Sequence, residues 1–231
     1  MGKRIISQAR GKGGPTYRVR KQAYIYKIKY PSTSGVGEIV SIIHSAAHSA
    51  PLLKISLNKS SFYIPAFNKA FVGQKIAVSG ANPKEGDIDS LKNIPLGSRV
   101  YNLERNPGDG GKMMRVAGTS AVLLKKEKSS ALILMPNKHE VSLNEECRAT
   151  IGVIAGDGRM LKPFVTAGRK HFKMKARNKL WPRTSAVKVN AIDHPFGSGR
   201  GKRIKSKIAK RNAPPGRRVG HLRPRRTGKR K

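Results

Sequence analysis

Along the middle of the chain apolar and polar residues alternate with a period of two, the spacing of a strand with one face buried. Leu53-Lys54-Ile55-Ser56-Leu57 alternates strictly, and residues 38–43 are β-branched and bounded by Gly35-Val36-Gly37. Further strands are expected at 62–64 and 75–78, with turn residues at 58–61, 65–69 and 80–83 between them. A second set follows at 99–103, 121–124, 131–135, 139–143 and 148–154. It is punctuated by Pro95-Leu96-Gly97, Pro107-Gly108-Asp109-Gly110-Gly111 and Pro136-Asn137-Lys138. No strong period of 3.6 runs through residues 35–160. Short strands at this spacing predict two small β-barrels, parted by a break near residues 82–89. Residues 167–180, rich in Ala, Lys and Arg, predict a short charged helix that Pro182 stops. Nearer the N-terminus Tyr24, Ile25, Tyr26 and Ile28 have two readings. They begin a strand that packs on the core, or Tyr24 and Tyr26, with Tyr17 and Tyr30, stack on bases.

Charge changes this picture. The 231 residues include 49 Lys+Arg against 12 Asp+Glu, a formal net charge of +37. Residues 1–34 hold nine Lys+Arg and no acid, residues 35–160 sixteen against eleven acids, and residues 161–231 twenty-four against one. A near-neutral middle able to fold in the ordinary way thus carries two basic extensions with too little apolar surface to order alone. Self-repulsion on this scale calls for a polyanion, and nucleic acid fits better than an anionic membrane. With 37% hydrophobic and 6% aromatic residues, there is core for one or two small domains and not for one large globule. Cys147 is the single cysteine, which excludes an internal disulfide and fits a reducing compartment. No apolar run approaches the ~20 residues of a membrane span. Met1-Gly2-Lys3-Arg4-Ile5-Ile6-Ser7 lacks the apolar region of a signal peptide, so the sequon Asn58-Lys59-Ser60 has no expected role.

Catalytic and metal motifs fail on inspection. His139-Glu140 starts like a zincin helix, but Leu143 stands where the second His is required. His44 and His48 are four apart, yet their neighbours are a strand and the turn before Pro51. Gly11-Lys12-Gly13-Gly14-Pro15 does not open a helix, and Met113 takes the Ser/Thr position after Gly111-Lys112. Cys147 reads as a quiet buried thiol. Asp193-His194 is the one pair suggestive of acid–base work, but Ser198 has no context as a nucleophile. The expectation is no enzyme, no catalytic residue, no metal and no cofactor.

The stretch from Val189 to Lys205 organises the rest: Val-Asn-Ala-Ile-Asp-His-Pro-Phe-Gly-Ser-Gly-Arg-Gly-Lys-Arg-Ile-Lys. Its glycines let backbone approach another surface, and its arginines grip phosphates with a planar fork. Charge alone also fits a chromatin-like or general RNA-binding protein, or a nuclear signal in the tail. The ordered motifs decide further. Ile94-Pro95-Leu96-Gly97, Asn106-Pro107-Gly108-Asp109-Gly110-Gly111 and Gly118-Thr119-Ser120-Ala121 come first. Cys147-Arg148-Ala149-Thr150-Ile151-Gly152, Ala167-Gly168-Arg169 and Asn190-Ala191-Ile192-Asp193-His194-Pro195-Phe196-Gly197 follow. Ala213-Pro214-Pro215-Gly216-Arg217-Arg218-Val219-Gly220 and Arg225-Arg226-Thr227-Gly228 close the chain. Over essentially its whole length the chain resembles the universal large-subunit ribosomal protein number two family. Phe196, where bacterial members usually carry His, is similar to the archaeal or eukaryotic branch, as are the short N-terminal arm and the tail.

The resemblance implies a mainly β fold, an OB-fold barrel followed by an SH3-like barrel. The expected divisions are an arm at 1–34, the barrels at 35–84 and 85–160, and a basic extension at 161–231. It implies a constituent of the large ribosomal subunit, cytoplasmic with the ribosome, whose partners are large-subunit rRNA and other ribosomal proteins. No membrane and no homo-oligomer are expected. In the family the extensions thread into rRNA near the peptidyl transferase centre, with roles in assembly of that centre and subunit joining. Asp193 and His194 match the family's Asp-His-Pro motif; His194 is read as structural, because the reaction belongs to rRNA. The expected RNA contacts are Arg4, Arg10, Lys12 and Arg18 in the arm, and Arg115, Arg148, Arg159, Arg169 and Arg177 further on. Asn190, Asp193, His194, Gly197, Gly199, Arg200, Lys202 and Arg203 form the loop set, and Arg217, Arg218, Arg225 and Arg226 meet phosphates more diffusely. The chain departs from the family where Ser185-Ala186-Val187-Lys188-Val189-Asn190 replaces the usual Arg-Gly-Val-Ala-Met-Asn, and in its Gly197-Ser198-Gly199 triplet.

Overall fold

A computed structural model describes residues 2–80, 83–199, 208–209 and 211–222. The chain divides into two compact units: Arg20–Val165, and Met1–Val19 with Thr166–Lys231. Each is described by itself.

Arg20–Val165 is a β unit. Its strands are β1 Gly35–Ile43, β2 Leu52–Leu57, β3 Ser60–Pro65, β4 Lys75–Val78 and β5 Ile88–Ser90. Then come β6 Arg99–Tyr101, β7 Ala121–Lys126, β8 Ser130–Leu134, β9 Glu140–Asn144 and β10 Arg148–Ile151. They form one ten-stranded sheet in the order β3-β2-β1-β4-β5-β10-β6-β7-β8-β9. The fold is mainly β, consistent with an OB-type barrel followed by an SH3-like barrel. Neighbours pair antiparallel, except where β4 and β5 join in parallel through Val78 and Ile88. Alternation dictates the burial: in β2, Leu53, Ile55 and Leu57 are buried while Ser56 is exposed. β2 returns into β3 through Asn58 and Lys59, with Leu57 paired to Ser60. Both turn residues have φ near the left-handed region, 46° and 64°, as a two-residue hairpin requires.

Within the expected break at 82–89 the chain is packed into the sheet from Asp87 to Asp89. Part of it is β5, and Ile88 is fully buried. Flanking acids hide its strand character in the sequence; both are buried and used. Asp87 accepts from Ala77 N at 2.8 Å and from Lys84 N at 2.7 Å. The halves are stitched by their cores. One cluster contains Ile39, Leu53, Ile55, Ile64 and Ile76, but also Ile88 from within the expected break and Tyr101, Ala117 and Ile154 from beyond it. The other contains Leu91, Ile94, Val100, Leu103, Leu123 and Ile133. Tyr101 reaches across to donate to Pro65 O at 3.0 Å.

Residues 20–34, grouped with the arm on charge, pack in this unit. Ala23, Ile28 and Tyr30 are buried. The stretch makes no strand of its own: Lys21–Tyr24 is a 3-10 turn, and Ile28 forms a single bridge with Tyr63.

The second unit contains α1 Ile6–Gly11, α2 Ala167–Ala176 and the parallel two-residue pair β11 Ile208–Ala209 and β12 His221–Leu222. Helix α2 ends earlier than expected from Pro182. Arg177 leaves helical geometry and Asn178 turns left-handed at φ 46°, a position Asn tolerates at a helix C-terminus.

Candidate nucleic-acid interface

The cations of the β unit do two kinds of work, and burial separates them. Glu104 is fully buried and is the acceptor at the centre of a network. Its Oε1 takes Arg148 Nη2 at 3.0 Å and Gly110 N at 2.9 Å; its Oε2 takes Arg148 N at 2.9 Å and Gly108 N at 3.2 Å. Burial alone would raise its pKa, but hydrogen bonds from Arg148, Gly110 and Gly108 outweigh that and hold the carboxyl below its ordinary value. Arg148 also donates to Pro31 O at 2.6 Å, and its guanidinium lies 5.3 Å from the Tyr30 ring centre. Tyr30 OH contacts Asn102 O at 2.8 Å and Thr150 Oγ1 at 2.7 Å. Burial pushes its phenol well above the usual range. Arg115 donates to Asn102 Oδ1 at 3.0 Å, to Ile28 O at 3.2 Å and to Gly111 O. Arg115 and Arg148, both expected to face RNA, therefore hold residues 28–31 and the 108–111 loop to the sheet. Tyr30 is a core residue and not a stacking platform. Arg159 is half-buried and donates from Nε to Ala117 O at 3.3 Å.

In the second unit the Asn190–Gly199 loop has defined geometry. Asp193 N and His194 N donate to Asn190 O at 3.0 and 3.3 Å, and Ser198 N donates to Val189 O at 3.0 Å. Gly197 is buried in the turn: a Cβ there would lie 2.2 Å from Asn190 O and 2.7 Å from Val189 O. Gly199 has φ +118°, open space beside it, and a conformation that disfavours side chains. His194 Nδ1 accepts from Phe196 N at 3.0 Å, so neutral His194 carries its proton on Nε2. Asp193 lies 4.0 Å from Lys3 Nζ, and Lys3 N donates to Ile192 O at 2.8 Å. The pair considered for acid–base work is thus built into a turn tied to the N-terminal segment. Gly216, φ +89°, closes against Gln8. A cleft of about 840 Å³ runs between these pieces, lined among others by Lys3, Arg4, His194, Pro195 and Arg217.

The remaining expected contacts divide simply. Arg4, Arg10, Lys12, Arg18, Arg169, Asn190, Arg217 and Arg218 are exposed, and Arg177 is half-buried. Arg200, Lys202, Arg203, Arg225 and Arg226 lie outside the described residues. Sequence reasoning passed over Glu104, whose position between strands and the Pro107-Gly108 turn gives little sign of burial. It also passed over Lys27, Lys29 and Lys112, which gather at a pocket with Tyr24 and Tyr26. Among the described residues no cluster of three or more His, Cys, Asp or Glu is placed to hold a metal. No described helix is long and apolar enough to cross a membrane.

A β scaffold carrying two strongly basic segments, with arginines spread over exposed backbone turns, defines a protein of the nucleic-acid-binding class. The family model described as "Ribosomal Proteins L2, C-terminal domain" matches residues 84–216. The large ribosomal subunit protein uL2 of Archaeoglobus fulgidus is 42% identical over 238 residues, covering 100% of both chains. That of Hyperthermus butylicus is 41% identical over 237 residues, again covering 100% of each. That of Halorubrum lacusprofundi is 44% identical over 236 residues, covering 99% of this chain and 98% of the relative. The chain belongs to the uL2 family of ribosomal proteins, of the archaeal type.

Proposed function

We propose that the chain is a structural constituent of the large ribosomal subunit that binds large-subunit rRNA and supports assembly of the peptidyl transferase region and subunit association. It works in the cytoplasm as part of the ribosome, beside other ribosomal proteins. The carrying observation is the excess of twenty-four Lys+Arg over a single acid in residues 161–231, against sixteen Lys+Arg and eleven acids in residues 35–160. The β unit acts as a rigid head that meets folded RNA by shape and phosphate position. The basic segments place Lys and Arg between rRNA helices, where crowded phosphates otherwise repel. Arg4, Arg10, Lys12, Arg18, Arg169, Arg217 and Arg218 take phosphates from exposed positions. Arg200, Lys202, Arg203, Arg225 and Arg226, which lie outside the described residues, are proposed as further phosphate contacts on their charge alone. The Asn190–Gly199 loop offers backbone, with Gly197 and Gly199 permitting close approach. Arg115 and Arg148 contribute by holding the head together. The work is binding and not turnover: peptide-bond chemistry belongs to the RNA.

The test is co-sedimentation of the tagged full-length chain with large subunits, followed by a salt titration of binding to large-subunit rRNA. Neutralising six to ten phosphates predicts a loss of about 10³–10⁵ in affinity between about 50 and 200 mM salt. Footprinting is expected to protect one rRNA site. Protection of any duplex RNA alike would refute the reading. His194→Ala is expected to lower assembly or subunit joining; acyl transfer by RNA-free protein that vanished on this substitution would refute the structural role.

A further inference from the structure

The chain enters the β unit along residues 24–30, and this entry strap frames a pocket of about 500 Å³. The strap is pinned at both ends. Ala23 and Tyr30 are buried, and Lys29 N donates to Tyr63 O at 3.2 Å. Between the pins two rings are held in place. Tyr24 meets His48 edge to face, centroids 4.9 Å apart at 88°, and His48 Nδ1 is 2.7 Å from the buried Ser45 Oγ. Tyr26 rests against Tyr63 at 5.1 Å. Tyr24 nevertheless keeps 49% of its surface exposed.

The facing wall is the 108–112 loop, whose shape the buried Glu104 fixes through Gly108 N and Gly110 N. Gly110 has φ +82°, and a Cβ there would lie 2.6 Å from Lys29 Cγ. The glycine lets the lysine stem lie across the loop, so Lys29 is placed and not merely exposed. Lys27 and Lys112 are exposed at the same pocket. Asp109 also lines it, but its carboxylate accepts from Arg105 N, Asn106 N and Gly111 N at 2.9–3.3 Å, which offsets its opposition to an anion. Arg115 at the pocket is engaged by its own backbone.

We infer that this pocket receives one unpaired nucleotide of the RNA, its base against Tyr24 and Tyr26 and its phosphate on Lys27, Lys29 and Lys112. The inference rests on the rRNA-binding reading. Held aromatic faces suit any base, while three point charges around them suit the phosphate that a base carries with it. A base inside a duplex has its faces covered by neighbours and cannot enter, so the occupant is single-stranded or turned out of its stack.

The experiment compares full-length wild type with Tyr24→Phe, Tyr24→Ala and a Tyr24→Ala/Tyr26→Ala double variant, on large-subunit rRNA at fixed salt. Loss of a stacked base is expected to weaken binding about 5- to 100-fold in the alanine variants, with Tyr24→Phe near wild type and the salt slope unchanged. Base-specific probing is expected to show one unpaired nucleotide, shielded by wild type, becoming reactive. Lys27→Ala/Lys29→Ala is expected to lower the salt slope by about 1 in all, because the pocket takes one phosphate. Thermal melts accompany each variant; should an alanine variant fail to fold, the exposed lysine pair decides, and an unchanged slope there overturns the inference. Equal binding by wild type and folded tyrosine variants overturns the pocket while leaving the broader function standing. Photocrosslinking from Tyr24 to another protein and not to a nucleotide also overturns it. Failure of the wild type itself to bind rRNA removes both readings together.

Discussion

Replacing Glu104 by Gln tests whether the buried carboxylate is the keystone of the β unit. The side chain is fully buried against Arg148 and accepts four hydrogen bonds, two on each oxygen. Gln keeps one carbonyl oxygen but turns an NH₂ toward two donors, whichever way it is flipped. It also strands the Arg148 guanidinium, which is only 20% exposed. Breaking one member of a buried pair costs about 3–5 kcal/mol. For a unit of this size each kcal/mol shifts Tm by about 2–4 °C, so a fall of roughly 6–20 °C is expected. The pH dependence gives a second readout. Folding holds the Glu104 pKa below its ordinary 4.5, so its contribution is complete above that value and is lost as pH falls through the folded pKa. Wild type is therefore expected to show an acid limb that Glu104→Gln flattens. The assay is thermal unfolding of the full-length chain followed by circular dichroism at constant salt, from neutral pH to about pH 3. A Tm within about 2 °C of wild type, with the acid limb intact, would refute the reasoning.

Other substitutions probe neighbouring features. Gly197→Ala places a methyl 2.2 Å from Asn190 O, which is backbone and cannot swing away; a local cost of about 1–3 kcal/mol is expected, read as faster proteolysis at residues 190–199 and weaker rRNA binding. Unchanged proteolysis would count against the close turn. Arg148→Met is expected to lower Tm much as Glu104→Gln does while leaving the salt slope of rRNA binding unaltered. A slope reduced by about 1 with stability intact would instead return Arg148 to the RNA. Cys147 is buried, and burial, with Glu104 and Asp109 nearby, pushes its thiol up to about 11. At pH 8 only about one thiol in a thousand is ionised, so a disulfide reagent is expected to react on unfolding and not before. Prompt labelling of folded protein would contradict this.

Alternation made the strands legible because one face of each is buried: β2 and β4 fall where the period of two places them. β5 was hidden for the same reason in reverse. Asp87 and Asp89 flank Ile88, and acids normally mark turns, yet here both are buried, Asp87 just before the strand and Asp89 within it. Residues 20–34 misled through charge, since Lys27 and Lys29 are solvent-facing while Ala23, Ile28 and Tyr30 between and around them enter the core. The loop at 190–199 was marked by its glycines, and Gly197 does fill a position no side chain can share. What composition cannot supply is direction. A lysine or arginine looks the same in sequence whether it faces solvent or a carbonyl of its own chain.

Direction can be read from which nitrogen of an arginine its own chain engages. Arg148 donates from both terminal nitrogens, to Pro31 O and Glu104, and Arg115 uses Nη2 twice as well as Nε. Those are the atoms a phosphate takes in a forked pair, so these two guanidinia are spent inward. Arg18, Arg159 and Arg218 instead donate from Nε, to Gly13 O, Ala117 O and Ala213 O at 2.8, 3.3 and 3.2 Å. A hydrogen bond at Nε fixes the plane of the guanidinium and directs its outer edge away from the carbonyl that holds it. Such a side chain loses less rotamer entropy when a phosphate arrives, because part of that loss was taken on folding. On the proposed rRNA-binding reading, Arg18, Arg159 and Arg218, held at Nε alone, are the preorganised phosphate contacts, whereas Arg115 and Arg148, held also at their tips, serve the scaffold.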